Sequence, residues 1–246
     1  MEKILTKQYE VRSHEADHQG KAKVLTLLNF LQDAALEHSQ VLGLSVQELF
    51  RRGLTWVLSH YHVIIQRYPD WKETVTVRTW PSEQQEFFGL RDFEMTDARG
   101  ERVLAATTSF VALNLRTKQP VNLENLNINF APIEKKAVTH TFPPLPVPEQ
   151  ADLELTFKVR RGDLDINRHV NHTVYMTLAL ETVPPEVFRK KRPAEIEVVF
   201  KSEALYGDQI LSRTQLKKTG DEIECIHQLC REDRKKDFTL LRTRWK

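Results

Sequence analysis

Glycine is scarce in this sequence. Only 8 of 246 residues are Gly, they are scattered, and neither G-x-G-x-x-G nor G-x-x-x-x-G-K-S/T occurs. Both loops need glycine so that backbone N–H groups can approach a phosphate, so dinucleotide and P-loop chemistry are disfavoured. Cysteine is scarcer. Cys225 and Cys230 are the only two, too few for a disulfide framework or a zinc cage of their own. No run reaches the roughly 18 apolar residues of a membrane helix; the longest apolar stretch, Val24 to Leu31, is interrupted by Thr26 and Asn29. Charge of one sign is lacking too, since 36 Lys+Arg against 34 Asp+Glu leave a net charge of +2. That balance argues against a general polyanion binder, while local basic patches remain open. No nucleic-acid partner and no membrane association are expected. The opening Met1-Glu-Lys-Ile-Leu-Thr-Lys mixes acid, base and apolar residues and does not read as a signal or transit peptide. With so few cysteines, a reducing, cytoplasmic location is expected.

The remaining composition, 40% hydrophobic and 28% charged, is enough to bury a core and keep a polar surface. The length fits one large domain or two small ones. Phe142-Pro-Pro-Leu-Pro-Val-Pro148 holds four of the eleven prolines, and such a segment continues neither a helix nor a central strand. The expected division is residues 1–141, a linker over 142–150, and residues 151–246.

The two sides share a register. Tyr9-Glu-Val-Arg12 followed by Glu15 and Asp17 matches Phe157-Lys-Val-Arg160 followed by Asp163 and Asp165. Glu73 to Thr79 resembles Asp208 to Thr214. Short matches that keep their order predict an internal repeat of one fold. Apolar residues at spacings of three and four from Val24 to Ala35 predict a helix that stops near Gly43. Strands follow over 56–65, 74–79, 87–95 and 103–113, with a turn at Asp97 to Gly100. In the second half a shorter helix over 173–182 should end before Pro184-Pro185, with strands over 194–202, 209–217, 222–229 and 238–245. One helix to about five antiparallel strands, twice over, predicts an α+β chain of two sheets, each wrapped around a helix.

His14-Glu-Ala-Asp-His18 matches H-E-x-x-H, which holds zinc only on a helical face. Here a strand runs into a loop, so no metal is expected. More informative is Arg161 to Tyr175, which places Asp165, Asn167, His169, Asn171 and His172 just ahead of a helix. Free N–H groups and partial positive charge at a helix start suit a developing oxyanion. The same residues also fit an ordinary capped helix start, with Asn171 as the N-cap.

Asp165-x-Asn167-x-His169-Val-Asn171-His172-x-x-Tyr175 resembles the active-site signature of acyl-acyl carrier protein thioesterases of the plant and bacterial double hot-dog type. Leu31-Gln-Asp-Ala-Ala35, Gly53-Leu-Thr-Trp-Val57, Arg67-Tyr-Pro-Asp-Trp71 and Arg78-Thr-Trp-Pro81 are similar to that family's first repeat, in order and approximate spacing. The resemblance implies a tandem double hot-dog fold. It also implies hydrolysis of fatty acyl-acyl carrier protein to free fatty acid, without cofactor, in a cytoplasm of bacterial type. The family's signature continues with Glu-Cys in a strand; Glu203 matches the acid and Ala204 stands in the cysteine slot, so no thiolate acts there.

A thiolate leaves readily, its parent thiol having a pKa of about 8.5, so carbonyl polarisation and attack matter most. On the resemblance, Glu203 and His169 activate water, Asn167 positions His169 or the substrate, and Asp165 fixes the geometry. Direct attack by Asp165 is the competing assignment. Asn171 is the remaining substrate-binding candidate in this segment. In the first half Gln19, Lys21 and Lys23 replace Asn167, His169 and Asn171, so that half is expected to bind the acyl chain, with Leu28, Leu31, Ala35 and Trp56 as lining residues. Arg189, Lys190, Lys191 and Arg192 are the expected docking patch for an acidic acyl carrier protein. A homodimer is left open. The rival functions are an acyl-CoA thioesterase of the same fold and a non-catalytic acyl-binding or sensor protein.

Overall fold

The computed structural model describes residues 3–126, 132–139 and 142–246. The chain divides into two compact units, Met1–Thr141 and Phe142–Lys246. The first contains β1 (Leu5–Glu10), α1 (Val24–Val41), α2 (Val46–Arg51), β2 (Leu54–Ile65), β3 (Thr74–Gln84), β4 (Phe88–Thr96) and β5 (Arg102–Asn114). Its strands are ordered β1-β3-β4-β5-β2, and every pairing is antiparallel. The three-and-four spacing of α1 turns Leu27, Leu28, Leu31 and Ala34 inward, and the helix lies on β1 and β3. Gly43, at φ 72°, takes the left-handed conformation that closes the helix without a Cβ penalty.

Two elements depart from expectation. Helix α2 is an addition: Ser45 accepts from the Glu48 N–H as its N-cap, and Leu49 packs with Leu44 and Leu54. A six-residue helix with one buried side chain leaves no period to detect. Strand β3 runs on through Pro81 to Gln84. Strand β1 pairs only Thr74 to Thr79, so at Pro81 the β1 side has no ladder to interrupt, and the register shifts between Pro81 and Glu83.

The second unit contains β6 (Leu153–Lys158), α3 (His172–Leu180), α4 (Pro185–Lys190), β7 (Pro193–Phe200), β8 (Gln209–Thr219), β9 (Glu222–Arg231) and β10 (Asp237–Trp245). Its order, β6-β8-β9-β10-β7, repeats that of the first unit element for element. Phe142 to Ala151 form neither helix nor strand, although Leu145 and Pro148 are buried. Pro185 does more than end a helix, because it starts α4 at a position where its missing N–H costs nothing. Helix α3 lies on β8, β9 and β10. Beneath it runs a buried polar chain. Thr182 Oγ1 meets Thr214 Oγ1 at 2.6 Å and Ser212 Oγ at 3.0 Å, and Thr214 meets His227 Nδ1 at 2.7 Å. His227 Nε2 then meets Thr243 Oγ1 at 2.9 Å, and the Trp245 indole donates to the same hydroxyl. Burial lowers the His227 pKa to about 3, so the ring is neutral.

Candidate active site

Asp165 begins a tight reversal between Leu164 and Val170, which form an isolated antiparallel bridge. Arg168 N donates to Asp165 O at 3.0 Å, and Asp165 N donates to His169 O at 2.8 Å. The Asp165 carboxylate organises the turn from within: Oδ1 accepts from Asn167 N at 2.8 Å and from His169 N at 3.2 Å. Arg168 closes it at φ 66°, in the left-handed region. The first unit builds the same turn at Asp17. Oδ1 accepts from Gln19 N and Lys21 N, Asp17 N donates to Lys21 O, and Gly20 holds φ 74° where Arg168 stands in the second. The aspartates therefore match because both carry the turn. Asn167 contributes its backbone; its carboxamide makes no hydrogen bond among the described residues and is not linked to His169.

Glu203 reaches this turn from the segment after β7. The resemblance placed it in a strand, but β7 ends at Phe200 and Lys201 to Leu205 are irregular. Main-chain bonds hold the segment: Lys201 N and Ser202 N donate to Phe238 O, and Val170 N donates to Ala204 O at 3.1 Å. The Tyr175 hydroxyl accepts from Ala204 N at 2.9 Å. With the backbone fixed on both sides, Glu203 Oε2 lies 3.3 Å from His169 Nε2. Both side chains stay open to solvent, His169 by 33% and Glu203 by 53%. Tyr175 closes the motif that carries the resemblance. Its place on α3, one turn beyond the N-cap on the buried face, was the available signal.

The matching positions in the first unit follow from the same backbone bonds. Ala22 N donates to Pro69 O as Val170 N does to Ala204 O, and Asp70 N donates to the Glu73 carboxylate as Leu205 N does to Asp208. Tyr68 thus stands at the position of Glu203, and Lys21, at that of His169, pairs with Asp70 at 2.8 Å. The first unit keeps the turn and has lost the imidazole–carboxylate pair.

The other candidates fall as follows. Asn171 caps α3: its Oδ1 accepts from Thr173 N and Oγ1. His172 follows it against Phe200, and desolvation lowers its pKa to about 4. Ser13–Glu15 is a single 3-10 turn followed by extended Ala16, so His14 and His18 do not share an α-helical face. Cys225 and Cys230 lie buried in β9; burial pushes the Cys225 thiol up to about 12 and raises Cys230 as well. Leu28 and Leu31 are wholly buried on α1 and Ala35 is half-buried, whereas Trp56 packs on the Leu44–Leu49–Leu54 cluster and edge-on to Phe110. Arg189 and Lys190 are exposed at the end of α4. Lys191 donates to Asp221 O, and Arg192 exchanges backbone bonds with Lys246.

Two family models match the chain, the acyl-ACP thioesterase N-terminal domain over residues 2–127 and the acyl-ACP thioesterase C-terminal domain over residues 147–246. The chain belongs to the acyl-ACP thioesterase family, and its fold is the tandem hot-dog. It is 27% identical over 237 residues to the chloroplastic palmitoyl-acyl carrier protein thioesterase of Cuphea hookeriana, covering 88% of this chain and 56% of that protein. It is 29% identical over 223 residues to the chloroplastic oleoyl-acyl carrier protein thioesterase 2 of Arabidopsis thaliana, covering 83% of this chain and 60% of that protein. The chain thus spans a little over half the length of these curated relatives. Among solved structures, the 12:0-ACP thioesterase from Umbellularia californica superposes with a TM-score of 0.90 at 25% identity, covering 99% of this chain and 94% of that one. An acyl-ACP thioesterase from Bacteroides thetaiotaomicron gives 0.87 at 24% identity, with 99% and 98% covered.

Proposed function

We propose that this protein hydrolyses the thioester of fatty acyl-acyl carrier protein and releases the free fatty acid, ending chain synthesis. The observation that carries this reading is the His169–Glu203 pair at 3.3 Å, on an aspartate-ordered turn in a chain of this family. A carboxylate at Nε2 fixes the tautomer with the proton on that nitrogen and leaves Nδ1 basic. His169 then takes a proton from water as it attacks the thioester carbon, and Glu203 stabilises the imidazolium. Asp165 shapes the turn; with Oδ1 engaged by two N–H groups, the positioning role is better supported than direct attack. The N-terminal turn of α3 and the Asn167 carboxamide supply dipoles for the developing oxyanion. General-base catalysis of this kind contributes about 10²–10⁴-fold.

The second unit carries the chemistry and the first binds the acyl chain, with Leu28, Leu31 and Ala35 on α1 and Trp56 on β2 as lining residues. Support comes from the first unit's Lys21–Asp70 pair at the positions of the catalytic turn. Arg189 and Lys190 present positive charge to an acidic carrier protein; Lys191 and Arg192, next in the chain, are half-buried. The two free thiols fit a reducing compartment such as the cytoplasm. No helix among the described residues is long and apolar enough to cross a membrane.

The test is a hydrolysis assay with acyl carrier protein and coenzyme A bearing the same acyl chains, across a series of lengths. Turnover with a higher kcat/KM on the carrier protein is the expected result. Preference for coenzyme A would reassign the substrate, and binding without turnover would make the protein a sensor.

A further inference from the structure

Beside the His169–Glu203 pair the surface is apolar and cationic in a way that folding does not require. Ile166, 72% exposed, is the most exposed large hydrophobic residue among those described, and it sits inside the catalytic turn. Leu205 and Tyr206, 51% and 56% exposed, follow Glu203 within three residues. The two segments are adjacent, because the Arg161 guanidinium lies over the Tyr206 ring at 5.4 Å and Gly207 N donates to Val159 O. Neighbouring Arg160 is taken up by Asp163 at 2.8 Å, but neither Arg161 nor Arg168 has a carboxylate partner among the described residues.

Arg168 is the most telling. It holds φ 66° where the first unit uses Gly20 for the same turn. An L side chain in that region is strained, and glycine is the relaxed choice. Exposed Lys72, Lys118 and Arg234 take the same backbone region in other turns, so what marks Arg168 is an exposed guanidinium with no partner among the described residues, one residue from His169 of the His169–Glu203 pair. At the positions of Arg161, Ile166, Arg168, Leu205 and Tyr206 the first unit has Ser13, His18, Gly20, Asp70 and Trp71. It keeps an exposed aromatic residue with a cation over it, Lys72 on Trp71 at 4.8 Å, but neither apolar residue and neither arginine, so those four accompany the catalytic turn and not the fold.

We propose that Arg161, Ile166, Arg168, Leu205 and Tyr206 form the short-range docking surface for the acidic acyl carrier protein, distinct from the steering charge at Arg189 and Lys190. This rests on the hydrolase reading above. An occupant of this surface needs carboxylates for two guanidinium groups and apolar side chains for Ile166 and Leu205. It must also deliver a thioester to the adjoining imidazole. A small carrier molecule offers no apolar protein surface, so the assignment is to the carrier protein itself.

The test uses full-length protein and Arg161→Ala, Arg168→Gly and the double variant. Affinity is measured for carrier protein and for coenzyme A, each bearing a hydrolysis-resistant acyl amide. Turnover is measured on acyl carrier protein and on an acyl-N-acetylcysteamine thioester. The double variant should bind the carrier-protein analogue roughly tenfold more weakly, with the difference shrinking at high salt. Its loss on the coenzyme A analogue and on the small thioester should be less than about twofold. Arg168→Gly should melt no lower than wild type, which separates lost docking from lost folding. Unchanged affinity of the double variant for the carrier-protein analogue would overturn the proposal. Equal losses on coenzyme A would also overturn it, by showing that the arginines read the pantetheine phosphate. Wild-type protein that binds the analogue and hydrolyses neither thioester would refute the hydrolase reading and leave the docking surface standing.

Discussion

At the residue scale the two turns act as each other's control. His169→Ala removes the proposed base and should lower kcat by about 10² or more. Glu203→Gln keeps the shape and removes the charge, with a loss of similar order. Lys21→Ala, at the matching position of the first unit, removes only an exposed pair with Asp70 and should leave kcat within a few-fold. Steady-state kinetics on variants with native circular dichroism decides, and equal losses from Lys21→Ala and His169→Ala would end the division of labour. Tyr175→Phe probes positioning. It strips the acceptor from the buried Ala204 N–H, a penalty of about 1–3 kcal/mol. It frees the segment carrying Glu203, so kcat should fall while KM holds.

At the element scale the turn and the start of α3 form one device. Asn171→Ala should cost about 1 kcal/mol through the lost N-cap, readable as a lower urea midpoint. Asp165→Asn retains an oxygen acceptor for both N–H groups and should fold. A variant that folds and keeps substantial kcat would confirm a positioning role, whereas complete loss in a well-folded Asp165→Asn protein would favour attack by the carboxylate. Helix α1 was legible because its apolar period, Val24 to Ala35, spans about three turns. Helices α2 and α4, six residues each, were not, because each buries a single side chain and is fixed by what it packs on. Glu203 was placed in a strand by the resemblance, and no local pattern after Phe200 shows that the Phe238 carbonyl captures the next two amides.

At the scale of the whole molecule, acid should destabilise the fold through His227. Its folded-state pKa is about 3, against about 6.5 in an unfolded chain. Below about pH 6.5 the unfolded chain gains a proton that the folded chain refuses. This contribution is complete above that pH and is lost progressively as pH falls toward 3, with a limiting slope of about 1.4 kcal/mol per pH unit. His172, lowered to about 4, acts in the same direction. Denaturant midpoints between pH 7 and 4 should show the decline, and His227→Gln should flatten it. An unchanged slope in that variant would mean that other groups govern acid stability.

The sequence by itself determined the repeat, the central helix of each unit, nearly every strand and the paired aspartates, since these are local: apolar periods, turn chemistry and a proline-rich joint act within a few residues. It also marked His169 and, through resemblance, Glu203. Only the tertiary structure decided that Asp165 spends its carboxylate on the turn, that Tyr175 holds the Ala204 amide, and that Lys21 faces Asp70 where the other unit has His169 beside Glu203. Each of these depends on which backbone groups are satisfied by residues far along the chain, and no local pattern encodes that choice.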